Sequence, residues 1–154
     1  MVRSDARELA VHVIYGMECT GESAEQVLAT RLAQDYYANL AQENEIYRER
    51  PNRKQLEYIK TCVAGVAEHR DALRDAISRY AVGWKIHRIS KYTTAVLELA
   101  MYEMLFVEDV PDNVAASEAV NLVKKYEDAE VGSFVNGILG AFLRDGKPLQ
   151  EIPQ

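Results

Sequence analysis

Proline and glycine are scarce in this 154-residue chain, four and eight residues respectively, and most of them fall between periodic segments. That distribution suits an all-helical protein. No alternating run of β-branched and aromatic residues stands between turn pairs, so a sheet is not indicated. The only cysteines, Cys19 and Cys62, lack CxxC spacing. They point to a reducing compartment without a structural disulfide, although one bridge between them is compatible with the sequence. No apolar run reaches the length that spans a bilayer, and the N-terminus enters an amphipathic, acid-containing pattern with no apolar leader core. The expectation is a soluble cytoplasmic protein with no membrane contact.

Catalytic signatures are also missing. The chain has no HExxH, no GxSxG and no P-loop. Its three histidines, His12, His69 and His87, stand far apart, and none lies four residues from another soft ligand. Its acids are spread over faces where solvated charge is the ordinary state. No catalytic residue, metal or cofactor is therefore expected. The formal net charge of −6 adds a further exclusion: the surface as a whole does not attract nucleic acid. RNA binding would need a local patch, or a partner that supplies positive charge.

What is present is helical periodicity. Ala6, Leu9, Ala10, Val13, Ile14 and Met17 recur at steps of three and four, predicting a helix from Ser4 to Cys19 that Gly21 ends. Ser23-Ala24-Glu25-Gln26 is a capping-box pattern. It opens a second helix continued by Val27, Leu28, Leu32, Tyr36 and Leu40. The stretch from Ala41 to Pro51 is polar and charged. Asn52 then reads as an N-cap with Gln55 three residues on. A long pattern from Arg53 to Tyr80 has a break signalled by Gly65 and by Glu68-His69-Arg70-Asp71. Gly83-Trp84-Lys85 reads as a connector. The helix from Ser90 to Val107 is apolar on much of its circumference and so is expected to be central. Pro111 opens the next helix as an N1 residue, which runs to Tyr126. A last helix covers Glu130 to Leu143. Residues 1–144 read as one domain and residues 145–154 as a flexible tail.

Four places stand out. Lys124-Lys125 occupies the last turn of a helix, where it either complements the helix dipole or contacts phosphates. Ser133 and Phe134 start a helix, and an exposed ring there could stack on a base as readily as it could pack. Asn136 and Gly137 lie inside that helix, where both lower its propensity. A buried amide and a close helix approach would explain them structurally. Arg3 and Arg7 share a side of the first helix, with Tyr15 further along. Solvated charge and a half-buried ring are the commoner explanation.

Order along the chain adds what the separate pieces do not. Ala6-Arg7-Glu8-Leu9-Ala10 followed by Ile14-Tyr15, then Leu97-Glu98-Leu99-Ala100-Met101-Tyr102-Glu103-Met104, resemble the opening and central helices of the NusB transcription antitermination factors. Asp109-Val110-Pro111, Ser117-Glu118-Ala119-Val120, Lys124-Lys125-Tyr126 and Phe134-Val135-Asn136-Gly137-Ile138-Leu139 resemble that family's C-terminal signature. The resemblance is weak between Thr20 and Arg53 and strong from Trp84 to Leu143.

The resemblance implies an all-α fold of about seven helices in two small packed bundles. It implies a non-catalytic factor that binds boxA RNA as a heterodimer with the ribosomal small-subunit protein NusE. Acting on the transcription elongation complex, that pair promotes read-through in ribosomal RNA operons. The RNA-contacting positions would be Arg3, Arg7, Tyr15, Glu130, Ser133 and Phe134, to which the residue reading adds Lys124 and Lys125. The partner-contacting positions would be Tyr92 and Thr93. Two other readings use the same fold: an RNA-binding domain like the N-terminal part of a ribosomal RNA cytosine methyltransferase, and a homodimeric interaction module. Three departures from the family pattern stand out. Arg3-Ser4-Asp5 replaces a run of arginines, which implies weaker RNA affinity for the protein alone. Glu98 stands where an arginine is usual, which implies that an internal ion pair is reversed or lost. The segment from Asp35 to Pro51 is longer than is typical.

Overall fold

The structure, a computed structural model, describes residues 1–83 and 89–149. The expected connector at Trp84-Lys85, His87 and the last five residues of the chain lie outside the described residues. Eight α-helices and one 3₁₀ turn make up the described secondary structure, with no strand among the described residues. The all-α expectation holds. The chain divides into two compact units, Met1–Ala67 and Glu68–Gln154.

The first unit begins with α1 (Arg3–Thr20), whose six stripe residues from Ala6 to Met17 are all buried. Gly21 ends it at φ 73°, its N–H bonded to the carbonyl of Met17; a residue with Cβ adopts that backbone at a cost. The Ser23–Gln26 capping box forms as expected and starts α2 (Ala24–Arg31). The sequence pattern continued this helix to Leu40, but the chain leaves helical geometry at Leu32-Ala33 and resumes as α3 (Gln34–Leu40). The interruption resets the helical phase. Tyr36, placed on the apolar stripe by sequence, is 41% exposed, whereas Tyr37 is 1% exposed.

The polar stretch after α3 closes with a 3₁₀ turn, Glu45–Arg48, capped by Asn44. Aromatic contacts hold it. The Tyr37 hydroxyl donates to the carbonyl of Glu49 at 2.6 Å. Tyr47 meets Tyr37 edge-on, with ring centroids 5.0 Å apart, and His12 of α1 stacks on Tyr47 with Nδ1 2.7 Å from its hydroxyl. The long segment is thus anchored on α1 through two buried tyrosines. Asn52 and Gln55 then exchange reciprocal bonds at 2.8 and 2.9 Å, as the capping pattern predicted, and open α4 (Arg53–Glu68). Cys62 is buried in α4 and Cys19 is exposed on α1; neither forms a disulfide.

In the second unit the long pattern breaks at His69 and continues as α5 (Arg70–Tyr80). Ser90 caps α6 (Lys91–Phe106) by accepting the N–H of Thr93 at 3.0 Å. Every residue of α6 from Thr93 to Met104 is buried, Glu98 and Glu103 at 0% exposure included. It packs against α5, α7 (Asp112–Tyr126) and α8 (Ala129–Arg144), which is the central position its circumferential apolarity implied. Pro111 sits at the N-cap of α7, one position earlier than the N1 site expected, and its carbonyl accepts from Ala115.

The first residues of the tail expected from residue 145 are bonded to the helices. Gly146 (φ 84°) and Lys147 (φ 59°) turn left-handed after α8. The N–H of Lys147 reaches the carbonyl of Phe142, and that of Gly146 reaches Leu143. This is a Schellman closure, which satisfies carbonyls that a helix end otherwise strands. Lys147 Nζ then donates to the Met104 carbonyl at 3.1 Å and pairs with Asp112 at 3.2 Å. Asp145 accepts from the Tyr80 hydroxyl at 2.9 Å. No described helix is long and apolar enough to cross a membrane.

The buried tyrosines make stability depend on alkaline pH. Desolvation by burial pushes both the Tyr37 and Tyr47 hydroxyls up to about 12 from their ordinary value of 10.0, with Arg50 and Arg31 respectively opposing the shift. Raised folded-state values mean that the unfolded chain ionises first. The stabilisation is therefore full below pH 10 and is lost as pH rises through about 12. Urea unfolding midpoints should fall over this interval, and the fall should be shallower in Tyr47→Phe. An unchanged slope in that variant would show that other groups control alkaline unfolding.

Candidate nucleic-acid interface

In the second unit the residues singled out for partner contact, Tyr92 and Thr93, lie at the start of α6, and the lysines singled out for RNA contact lie at the end of α7, where the two helix ends meet. Tyr92 of α6 and Tyr126 of α7 pack edge-to-face, ring centroids 5.0 Å apart at 61°. Such a pair is worth about 0.5–1.5 kcal/mol beyond the area it buries. Tyr126 keeps 43% of its surface exposed. Lys125 places Nζ 5.4 Å from the Tyr126 ring centroid, within reach of a cation–π contact. Glu127 closes the cluster from the C-cap of α7: its Oε1 accepts from the Ser90 hydroxyl and, at 3.4 Å, from Thr93 Oγ1. Thr93, expected on the partner surface, is 1% exposed, so its side chain serves this internal bond and is not presented outward.

Two residues separate α7 from α8, and the junction is tight. A Cβ built on Gly132 would come within 3.0 Å of Lys124 Cε and 3.1 Å of its Cγ. The stem of Lys124 therefore lies along the first turn of α8, while its ammonium forms no ion pair among the described residues. Glu130 and Ser133 are exposed on that turn and Phe134 is half-buried. Three carboxylates, Glu127, Asp128 and Glu130, follow Lys124 and Lys125 within a few residues of sequence. The surface is aromatic and mixed in charge, with no excess of positive charge.

The structural explanation of Asn136 and Gly137 is not met. Both are exposed, and a Cβ on Gly137 would meet nothing within 4 Å. No polar partner holds the Asn136 amide among the described residues. The close approach that sequence assigned to Gly137 occurs one turn earlier, at Gly132. α8 buries Val135, Ile138, Leu139 and Phe142, and that choice of face turns Asn136 and Gly137 outward.

In the first unit, Arg3 holds its guanidinium 4.3 Å from the centroid of the Tyr58 ring. Tyr15 is 37% exposed. Arg7 needs correction as a surface contact. It is 3% exposed, within a run of buried residues from Ala6 to Val11, so its charge is directed into the protein and not toward a ligand in solvent. The expected RNA positions thus fall into an Arg3–Tyr15 group in one unit and a Lys124–Phe134 group in the other. Residues that sequence reading missed are Tyr126, Glu127 and Gly132. Tyr126 had a usable signal, an aromatic ring directly after a basic pair at a helix end. Glu127 had none, because an acid there reads as solvated charge. No described group of His, Cys, Asp and Glu could hold a metal ion.

Two helical units, the second with an aromatic cluster at a helix junction, define an all-α protein. The sequence model of the NusB family matches residues 4–144, and the chain belongs to that family. It is 39% identical over 144 residues to the transcription antitermination protein NusB of Acetivibrio thermocellus, covering 94% of this chain and 90% of that one. Among solved structures it is similar to T. maritima NusB, with TM-score 0.78 and 30% identity, covering 96% of this chain and 94% of that one. It is also similar to a chain in a crystal structure of antitermination factors NusB and NusE in complex with double-stranded RNA. There the TM-score is 0.73 and the identity 25%, covering 93% of this chain and 96% of that one.

The two helical glycines give a test of the local geometry. Gly137→Ala should stabilise the protein by about 1 kcal/mol, the propensity difference at an open helical site. Gly132→Ala should gain clearly less, because the Lys124 stem must leave its seat. Thermal or urea unfolding measures both. Equal gains would show that Lys124 does not pack on the turn.

Proposed function

We propose that this protein is a non-catalytic antitermination factor of the cytoplasm. In this reading it binds boxA RNA together with the ribosomal protein NusE and helps the elongating polymerase read through terminators, above all in ribosomal RNA operons. The observation that carries the reading is the Tyr92–Tyr126 cluster. It joins the expected partner face at the start of α6 to the lysines and first turn of α8, where RNA is expected. Resemblance to a NusB chain solved with NusE and RNA supports the same assignment.

The chemistry favours stacking over charge. Tyr126 offers an exposed ring and Phe134 a partly exposed one, and base stacking on such rings is worth about 1–3 kcal/mol per base. Lys124 and Lys125 supply phosphate contacts that the neighbouring acids weaken. With Ser4 and Asp5 in place of arginines, the protein alone binds weakly, and NusE contributes the missing positive charge. Residues 1–144 act as one working domain in this reading.

A boxA RNA mobility-shift assay with and without NusE tests it. Binding should be weak alone and strong with the partner. Phe134→Ala and Tyr126→Ala should each weaken the ternary complex by roughly tenfold. Lys124→Gln should flatten the salt dependence by about 0.7 in log–log slope. No shift at low salt in either condition overturns the proposal.

A further inference from the structure

A cavity in the first unit has no part in the RNA reading. It is a half-open pocket of about 670 Å³ lined by residues of α2 and α4, with Pro51 also in its lining. This volume lies within the roughly 300–1,000 Å³ of small-molecule sites. Leu28 of α2 and Leu32 just beyond its end line it, together with Leu56 and Ala64 of α4. Two cations border it, Arg50 and Lys60, and one acid, Glu25.

The Arg50 guanidinium is held in place. One nitrogen donates to the carbonyl of Leu32 at 2.7 Å, and the group stacks 4.7 Å from the Tyr37 ring centroid. Those contacts use little of its donor capacity, since a guanidinium carries five N–H groups. Neither Arg50 nor Lys60 forms an ion pair among the described residues, in a chain that carries 24 acids against 18 bases. An oriented guanidinium beside leucine walls is the arrangement that recognises one negative head on an apolar body. With Glu25 on the rim, two cations less one carboxylate leave a single positive charge. That matches one anionic head and not a polyanion such as RNA.

We infer that this pocket binds a small monoanionic amphiphile of the fatty-acid type. Its alkyl body lies against Leu28, Leu32, Leu56 and Ala64, and its carboxylate reaches Arg50 and Lys60. The site stands independently of the antitermination reading.

Calorimetric titration of the full chain with decanoate, decanol and acetate tests this. Decanoate should bind saturably at one site, decanol on the order of tenfold more weakly, and acetate not measurably. Ala64→Phe, at an exposed position of α4, should fill the pocket and abolish decanoate binding. Lys60→Gln, at a residue with no bonded partner among the described residues, should weaken it several-fold and leave decanol unaffected; circular dichroism confirms that both variants are folded. Absence of saturable decanoate binding overturns the proposal. Equal binding of decanol and decanoate also overturns it, marking an apolar docking surface instead. So does decanoate binding that survives Ala64→Phe, which places the ligand elsewhere.

Discussion

α6 has no solvent face along twelve consecutive residues, and the rest of the second unit is arranged around that constraint. A helix apolar all round must be covered on every side, and α5, α7 and α8 each take part of it. Covering it brings the end of α7 beside the start of α6, so that Glu127 reaches Ser90 and Thr93 while Tyr126 reaches Tyr92. The same requirement fixes the far end of the unit. Lys147, turned back by the Schellman closure after α8, ties the carbonyl of Met104 to Asp112. Both ends of α6 are thus held by contacts from α7 or the residues after α8.

Helices with strong boundary chemistry were legible before the structure. Ser23–Gln26 and Asn52–Gln55 are reciprocal caps written into four residues each, and Gly21 is a stop that local sterics enforce. The α2–α3 break was not legible, because neither Leu32 nor Ala33 is a breaker residue. The interruption depends on tertiary contacts, among them the Arg50 bond to the Leu32 carbonyl and the burial of Tyr37. At the candidate surface the sequence misled on burial. Arg7 read as surface charge because alternation by three and four cannot say how many sides of a helix are covered. Asn136 and Gly137 read as structural because their poor helix propensity was taken to need a structural reason. Their exposure removes that reason and leaves their low propensity unexplained by packing.

Net charge constrains how such a surface can recognise anything. A chain at −6 repels RNA at long range, and the cluster itself sets two lysines against three acids. Steering by charge is therefore weak, and any recognition at this surface depends on contact chemistry. Edge-to-face tyrosines suit that demand: pairing fixes the ring orientation before a ligand arrives, so less conformational entropy is lost on binding. Lys124 is prepared in the same way, its stem lying along Gly132 while its ammonium has no carboxylate partner among the described residues.

Tyrosine pairs occur in both units, and burial separates their roles. Tyr37 and Tyr47 are 1% and 4% exposed; their hydroxyls are bonded within the protein, and desolvation holds both groups neutral to about 12. They close a long segment onto α1. Tyr92 and Tyr126 have the same edge-on geometry and the same 5.0 Å separation. There one ring remains 43% exposed beside a lysine. The interaction that seals a core in the first unit becomes, at a helix junction of the second, a rigid ring presented to solvent. What differs is whether neighbouring elements cover the second ring. At α7 the chain turns into α8 after two residues, and Tyr126, in the last turn before that junction, keeps part of its surface open.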